Sequence, residues 1–176
     1  MGKLEIKESF EVNTDAGKAW RVIGPNFLNI AEWARGINKS WLNESAQKKY
    51  ENAPAGGRYC DLGSFGIFDE KIIHYDDNKF EITWSAHGEK LPKFVSGLQN
   101  ALKVESVNSQ TCRVSSHISA DVQGIKGFFL GKAMGKSFSR QIKGFMSDWK
   151  TYAETGEISV KKQKEISRSL KFAQSN

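Results

Sequence analysis

The pattern of hydrophobic and polar residues predicts seven short β-strands, and in the first of them the two kinds of residue alternate, as in a strand that buries one face. In the first segment the apolar positions fall on one side, and charged or hydroxyl residues fall on the other. These apolar positions are Leu4, Ile6, Phe10 and Val12. Turn residues separate most of the later segments, as short connections between antiparallel strands require. The predicted strands cover residues 4–12, 37–45, 58–62, 67–75, 79–86, 95–107 and 111–122.

The last third of the chain has a helical period instead. Apolar residues recur there at steps of three and four, and basic residues occupy the opposite side. This pattern predicts one long amphipathic helix over residues 127–154, ended by Gly156. Two short helices are predicted after the first strand, over residues 16–23 and 26–33. Strands segregated from helices indicate an α+β fold, and a sheet that curls around the long helix can enclose a cavity.

The composition is that of a folded protein, with 39% hydrophobic and 26% charged residues in a chain of 176. No apolar run approaches the roughly 20 residues that a membrane-spanning helix needs. The first residues lack the apolar core of a secretory signal. Cys60 and Cys112 lie far apart and outside any CxxC pair. We therefore expect two free thiols and a cytoplasmic location.

The net charge of +6 is unevenly distributed. Residues 159–176 hold five basic residues and a single acid, whereas the rest of the chain is nearly balanced. We expect a main domain at residues 1–158 and a basic tail at residues 159–176. The balanced main domain does not favour a nucleic-acid partner. The tail is interpreted either as solvated or as a weak contact for an anionic surface, since Ile166, Leu170 and Ala173 share one helical side.

Motifs for metal, nucleotide or nucleophilic chemistry are incomplete. His74, His87 and His117 lack metal-ligand spacing, and neither HExxH nor GxSxG occurs. The segment Gly131–Ser137 resembles a phosphate loop but is one residue too short, and it falls inside the predicted long helix. We therefore expect no metal and no cofactor.

The segment Gly66–Asp76, followed after a short turn by the aromatic strand Phe80–Trp84, is the most specific pattern in the chain. Together with residues 91–94 and 145–154, it resembles the START/Bet v 1-like superfamily and its helix-grip fold. The resemblance covers nearly all of residues 4–157. Within that superfamily the chain resembles the polyketide cyclase/dehydrase branch, to which the plant abscisic-acid receptors are related.

This resemblance implies a curved antiparallel sheet of six to seven strands around the long helix, with an apolar cavity between them. It makes the main domain a ligand-binding domain for a small hydrophobic molecule, such as a lipid, polyketide or hormone-like compound with a carboxyl or hydroxyl group. Glu70 matches an acidic cavity position of the family, and Lys39 resembles a lysine that meets a ligand carboxylate. Further lining positions are matched by Trp84, Ala86, Phe94 and Ser96.

Strand alternation independently supports several of these positions. The inward sets it predicts are Phe68, Glu70, Ile72 and His74 on one strand and Phe80, Ile82, Trp84 and Ala86 on the next. A carboxylate among apolar neighbours is unfavourable unless it is paired. Glu70 therefore needs a positive partner, such as Lys39 or Arg58, or must hold a proton.

Two functions are compatible with these residues. The first is binding of a small hydrophobic molecule in an internal cavity, as carrier or sensor, by a monomer or homodimer. The alternative is a cyclase or dehydratase in which Glu70, with help from His74, transfers protons. The candidate ligand-binding residues are Lys39, Arg58, Leu62, Phe68, Glu70, Ile72, Ile82, Trp84, Ala86, Phe94, Ser96, Phe138, Gln141 and Phe145.

Overall fold

The computed structural model describes the backbone of residues 2–174 and the side chains of residues 2–124 and 139–171. Its strands are β1 (Gly2–Val12), β2 (Lys39–Leu42), β3 (Gly57–Asp61), β4 (Ile67–Asp76), β5 (Glu81–Gly88), β6 (Val95–Asn108) and β7 (Thr111–Val122). They form one antiparallel sheet in the order β1-β7-β6-β5-β4-β3-β2. All seven predicted strands are present, although β2 is shorter than its predicted segment.

The helices are α1 (Ala16–Ile23), α2 (Ile30–Trp33), α3 (Gly124–Thr155) and α4 (Val160–Gln174). The Asp15 carboxylate accepts a hydrogen bond from the Lys18 backbone N–H at 2.8 Å and caps α1. The second predicted short helix is split, because a 3₁₀ turn at Phe27–Asn29 precedes α2. Gly156 ends α3 with a left-handed φ of 75°, as predicted for the long helix.

The inner face of the sheet packs against the helices and carries the apolar half of each strand's alternation. Val12 and Val114 at one edge of the sheet and Ile82 near its centre are fully buried. Trp149 of α3 and Phe27 of the 3₁₀ turn are also inaccessible to solvent and join the same core. Burial of each such side chain contributes on the order of 1.5–3 kcal/mol. The predicted α+β arrangement of sheet and long helix is confirmed.

A β-bulge interrupts the alternation on β4. Ile72 is paired with Trp84, but the next pair joins His74 to Thr83, so that Ile73 is an extra residue. The extra residue reverses the faces of the positions that follow. His74 therefore lies on the outer face, where its Nε2 is 3.5 Å from the Glu81 carboxylate. The prediction that His74 shares the inner face with Glu70 and Ile72 is wrong.

The segment predicted as a basic tail contains a folded helix, α4, up to Gln174. Its first turns contact the loop between α2 and β2, where the Lys162 ammonium donates to the Ile37 carbonyl at 2.8 Å. Residues 175 and 176 lie outside the described part of the chain. Within the described residues, no helix has the length and apolar character needed to cross a membrane.

Candidate functional site

An arginine–glutamate pair occupies the inner face of β3 and β4. Arg58 and Glu70 are directly opposite each other in the sheet register. The Arg58 Nε donates to the Glu70 Oε2 at 2.6 Å, and their side chains are 1% and 12% exposed. Of the two positive partners considered for Glu70, the structure therefore selects Arg58. The short distance and the burial make this a charge-assisted hydrogen bond in an apolar setting.

Aromatic rings hold the Arg58 guanidinium in place. Its central carbon lies 3.8 Å from the centroid of the Phe27 ring and 5.6 Å from that of the Trp84 ring. One terminal nitrogen also donates to the Phe27 carbonyl oxygen. Stacking on aromatic faces and hydrogen bonding to a carbonyl both fix the position of the guanidinium. Sequence analysis missed Phe27, which reaches this site from the 3₁₀ turn and has no local signal for it.

The Glu70 carboxylate uses its two oxygens unequally. Oε2 accepts from Arg58 and lies 3.6 Å from the Cys60 sulfur, which is also 3.7 Å from the Ser40 hydroxyl. Burial raises the pKa of the Cys60 thiol to about 12, so Cys60 is a neutral thiol rather than a nucleophile. Among the described side chains, none donates a hydrogen bond to the other oxygen, Oε1. Glu70 therefore retains acceptor capacity.

A second polar pair lies on the inner face beside Trp84. The Ser116 hydroxyl is 3.2 Å from the Asn100 Oδ1, and Ser116 is buried. Asn100 lies opposite Trp84 in the register of β5 and β6. Sequence analysis missed both residues, although alternation carries the signal: each is a polar residue at an inward position between apolar ones. Asn100 falls between Leu98 and Leu102 in this alternation.

Glu8 adds a third inward polar group, on β1. It lies opposite Ser116 in the register of β1 and β7, and its carboxylate accepts a hydrogen bond from the Ser139 hydroxyl of α3 at 2.9 Å. The polar positions thus form a band across the inner face of the sheet, with apolar residues on both sides. An apolar wall with a few placed polar groups is the usual composition of a small-molecule site.

Most of the predicted binding residues on β3, β4 and β5 reach this face. Those that are buried or half-buried on the inner side are Arg58, Leu62, Phe68, Glu70, Ile72, Ile82, Trp84 and Ala86. Phe94 is half-buried just before β6. Phe145 is half-buried on α3, where its ring centroid lies 5.1 Å from that of Trp33.

Three predicted residues do not reach the interior. Lys39 is exposed on the outer face, and its ammonium lies 5.4 Å from the Trp41 ring centroid. Ser96 is exposed because alternation turns the preceding Val95 inward instead. Gln141 is exposed on α3. Phe138 lies outside the described side chains.

The outer face of the sheet carries a separate, open groove of about 480 Å³. His74 and His117 line it together with Lys7, Lys103 and Glu81. The sheet itself separates this groove from the Arg58–Glu70 pair. No group of three or more histidine, cysteine, aspartate or glutamate side chains within the described residues is arranged to hold a metal ion.

Residues 3–154 match the family described as polyketide cyclase/dehydrase and lipid transport. The chain belongs to this family. The match includes all seven strands and nearly all of α3, and it stops before α4. No curated protein matches the sequence significantly.

Solved structures of this family's wider superfamily share the fold. Ara h 8.0201 is 10% identical with a TM-score of 0.67, over 86% of this chain and 98% of its own. A START superfamily protein from Mycobacterium smegmatis is 13% identical with a TM-score of 0.60, over 81% and 94%. The Zhui aromatase/cyclase from Streptomyces sp. R1128 is 9% identical with a TM-score of 0.63, over 90% and 100%. These similarities support the helix-grip fold of the family member described here.

Proposed function

We propose that this family member binds a small hydrophobic molecule between the inner face of the sheet and α3, as a carrier or sensor. The observation that carries the proposal is the Arg58–Glu70 pair on an otherwise apolar face, with one Glu70 oxygen not used by any described donor. Trp84, Ile72 and Phe68 supply apolar walls beside it. Membership in a family that includes lipid transport supports this class of ligand.

The chemistry of the pair favours a ligand with a hydroxyl group over one with a carboxyl group. The charge of Arg58 is already balanced by Glu70, and the Phe27 carbonyl takes a further donor. Lys39, the other cation considered for a ligand carboxylate, is on the outer face. A hydroxyl can donate to the Glu70 Oε1, whereas a carboxylate there would meet a like charge.

The first test is native mass spectrometry of the purified protein, with organic extraction and identification of any molecule released. A neutral fluorescent hydrophobe, phenylnaphthylamine, then reports on the interior through displacement. We expect dodecanol to displace it at a concentration at least about tenfold lower than dodecanoate, because only the alcohol can donate to Glu70.

Two alanines provide a matched pair of variants. Ala86 lies on the inner face opposite Glu70, and Ala101 lies on the outer face of the adjacent part of the sheet. We expect Ala86→Phe to abolish probe binding and Ala101→Phe to leave it unchanged. A folded Ala86→Phe variant, verified by circular dichroism, that still binds the probe with wild-type affinity would contradict an interior site.

A second candidate function is that of a cyclase or dehydratase in which Glu70 transfers a proton. It is favoured by the family description and by the acceptor capacity of Glu70. His74 has no part in it, because the bulge places it on the outer face. We expect turnover of polyketide-like aromatic precursors, if present, to be lost in Glu70→Gln and unchanged in His74→Ala. Turnover that survives Glu70→Gln would exclude the acid–base role.

We further propose a cytoplasmic location and a monomeric or homodimeric state, to be measured by cell fractionation and by light scattering. The proposal also includes a weak contact of the segment after residue 158 with an anionic surface.

A further inference from the structure

Helix α4 lies outside the family match, and its start is fixed to the domain by buried polar contacts. The Lys162 ammonium, in a residue only 2% exposed, donates to the Ile37 carbonyl at 2.8 Å and to the Glu165 carboxylate at 3.0 Å. Glu165 also accepts from the Gly36 backbone N–H at 2.8 Å. These contacts determine which side of α4 faces the domain and which side faces outward.

Beyond this attachment, α4 extends into solvent. Every residue from Ile166 to Lys171 is exposed, including Leu170 at 58%, and Val160 at the start of the helix is 64% exposed. Because short isolated helices are marginal in water, an amphipathic segment with exposed leucine and isoleucine is stabilised by a surface that covers it.

The charge of α4 indicates the chemistry of that surface. Its described residues carry five basic side chains and one acid, a net +4 of the chain's +6. The one acid, Glu165, is paired with Lys162 on the side that faces the domain. The exposed basic residues Lys161, Lys164 and Arg168 lie together on one side of α4, and the neighbouring Glu165 carboxylate is already bonded to Lys162 and to the Gly36 backbone N–H. Such a side attracts an anionic partner.

We propose that α4 docks this domain onto an anionic lipid bilayer. Lys161, Lys164 and Arg168 contact the headgroups from one flank of α4, while Val160 on its outward side and Leu170 on the opposite flank insert at the boundary with the acyl chains. A nucleic acid would satisfy the basic residues but offers no apolar layer for the exposed valine and leucine. The inference is independent of which molecule the interior binds.

The experiment is co-sedimentation of the full chain with vesicles of phosphatidylcholine alone or of equal parts phosphatidylcholine and phosphatidylglycerol. We expect binding to the anionic vesicles only, weakened by salt. The triple variant K161E/K164E/R168E should partition about 100-fold less, since each basic residue near an anionic surface contributes about a factor of five. The control triple variant K48E/K49E/K93E has the same change in net charge at exposed positions away from α4, and it should bind as wild type.

A second variant distinguishes insertion from charge alone. We expect V160S/L170S to bind anionic vesicles at least about fivefold more weakly than wild type, since it keeps every charge but loses the inserted groups. Equal loss in the control triple variant, or no loss in K161E/K164E/R168E, would overturn the proposal. Wild-type affinity in V160S/L170S together with tight, sequence-independent binding of single-stranded DNA would identify a general polyanion site instead, and would also overturn it.

Discussion

Two arginine–carboxylate pairs hold different parts of this molecule, and they differ in how completely the carboxylate is bonded. In the pair between α2 and α3, Asp148 is inaccessible to solvent and both of its oxygens accept from the Arg35 guanidinium, at 2.5 and 2.7 Å. The Arg35 backbone N–H adds a third bond at 2.9 Å. In the pair between β3 and β4, one Glu70 oxygen accepts a hydrogen bond from Arg58. The other oxygen accepts none from the described donors.

Because of this difference in bonding, the Arg35–Asp148 pair is interpreted as structural, whereas the Arg58–Glu70 pair can still accept a hydrogen bond from a ligand. Burial opposes the ionisation of Asp148, but hydrogen bonds from Arg35 and Ser159 outweigh it and hold the pKa of that carboxyl below its ordinary value. A carboxylate this fully bonded cannot accept a ligand without losing a partner. It joins the loop after α2 to α3, and the same loop receives α4. Glu70, in contrast, can accept one more donor without disturbing Arg58.

The largest effect on stability should come from breaking the Arg35–Asp148 pair. We expect Asp148→Asn to lower the free energy of unfolding by about 2–4 kcal/mol, because it leaves a partly buried Arg35 without its charge partner. Chemical denaturation with urea measures this change. The control is Glu105→Gln, which removes an exposed partner of Lys103 and should cost less than about 0.5 kcal/mol. Equal losses in the two variants would show that Asp148 has no special structural role.

The same pair should make stability depend on acid pH in a defined direction. Because the pKa of Asp148 is lowered on folding, its contribution is present above the ordinary aspartate pKa of about 3.9 and is lost as pH falls through the lowered value. The difference in unfolding free energy between wild type and Asp148→Asn should therefore stay constant from about pH 7 to pH 5 and shrink below about pH 4. A difference that grows on acidification would contradict this assignment.

A smaller effect is expected when the site pair is replaced as a unit. In R58M/E70L, apolar groups of similar size replace both charges, so the unfolding free energy should change by no more than about 1–2 kcal/mol. Part of that change reflects the Phe27 carbonyl, which loses its donor. Preference for dodecanol over dodecanoate should disappear in the same variant.

The corresponding R35M/D148L variant should be less stable than R58M/E70L, since the backbone N–H of residue 35 would lose its acceptor. If R35M/D148L is the more stable of the two, the contrast between the pairs is wrong.

The smallest change in stability is expected at the second polar pair of the inner face. In N100L/S116A both partners of the hydrogen bond are removed together, so no buried polar group is left unpaired and the unfolding free energy should change by less than about 1 kcal/mol. Thermal unfolding measures the stability, and phenylnaphthylamine titration measures the interior. A loss of several kcal/mol would indicate that Asn100 and Ser116 are structural rather than part of a binding face.

Local periodicity predicted most of the fold. Strand-like runs bounded by turn residues, with alternation in the first, identified all seven strands, and the helical period of the last third identified α3 with its end at Gly156. These predictions succeeded because backbone geometry fixes the side-chain period of strands and helices. When one face is buried, that period appears as a pattern of apolar residues within a single segment. Alternation also placed Phe68, Glu70 and Ile72 on the inner face.

Contacts between distant segments could not be predicted in this way. Both Lys39 and Arg58 were possible partners of Glu70 from the sequence, and only the register of β3 with β4 selects Arg58. His74 faces outward because β4 contains one extra residue, and no local sequence pattern predicts that bulge. Asn100 and Ser116 were predictable from alternation, since each is a polar residue at an inward position, but the predicted lining consisted mostly of apolar positions.

The sequence by itself determined the element order, the inward faces of the strands and the concentration of positive charge after residue 158. Tertiary structure decided which charges are neutralised across segments: Arg58 by Glu70, and Arg35 by Asp148. The physical reason is that alternation and helical period repeat along one segment, whereas an ion pair needs two segments at a particular register. That register is set by strand pairing, a bulge and helix packing across the whole chain.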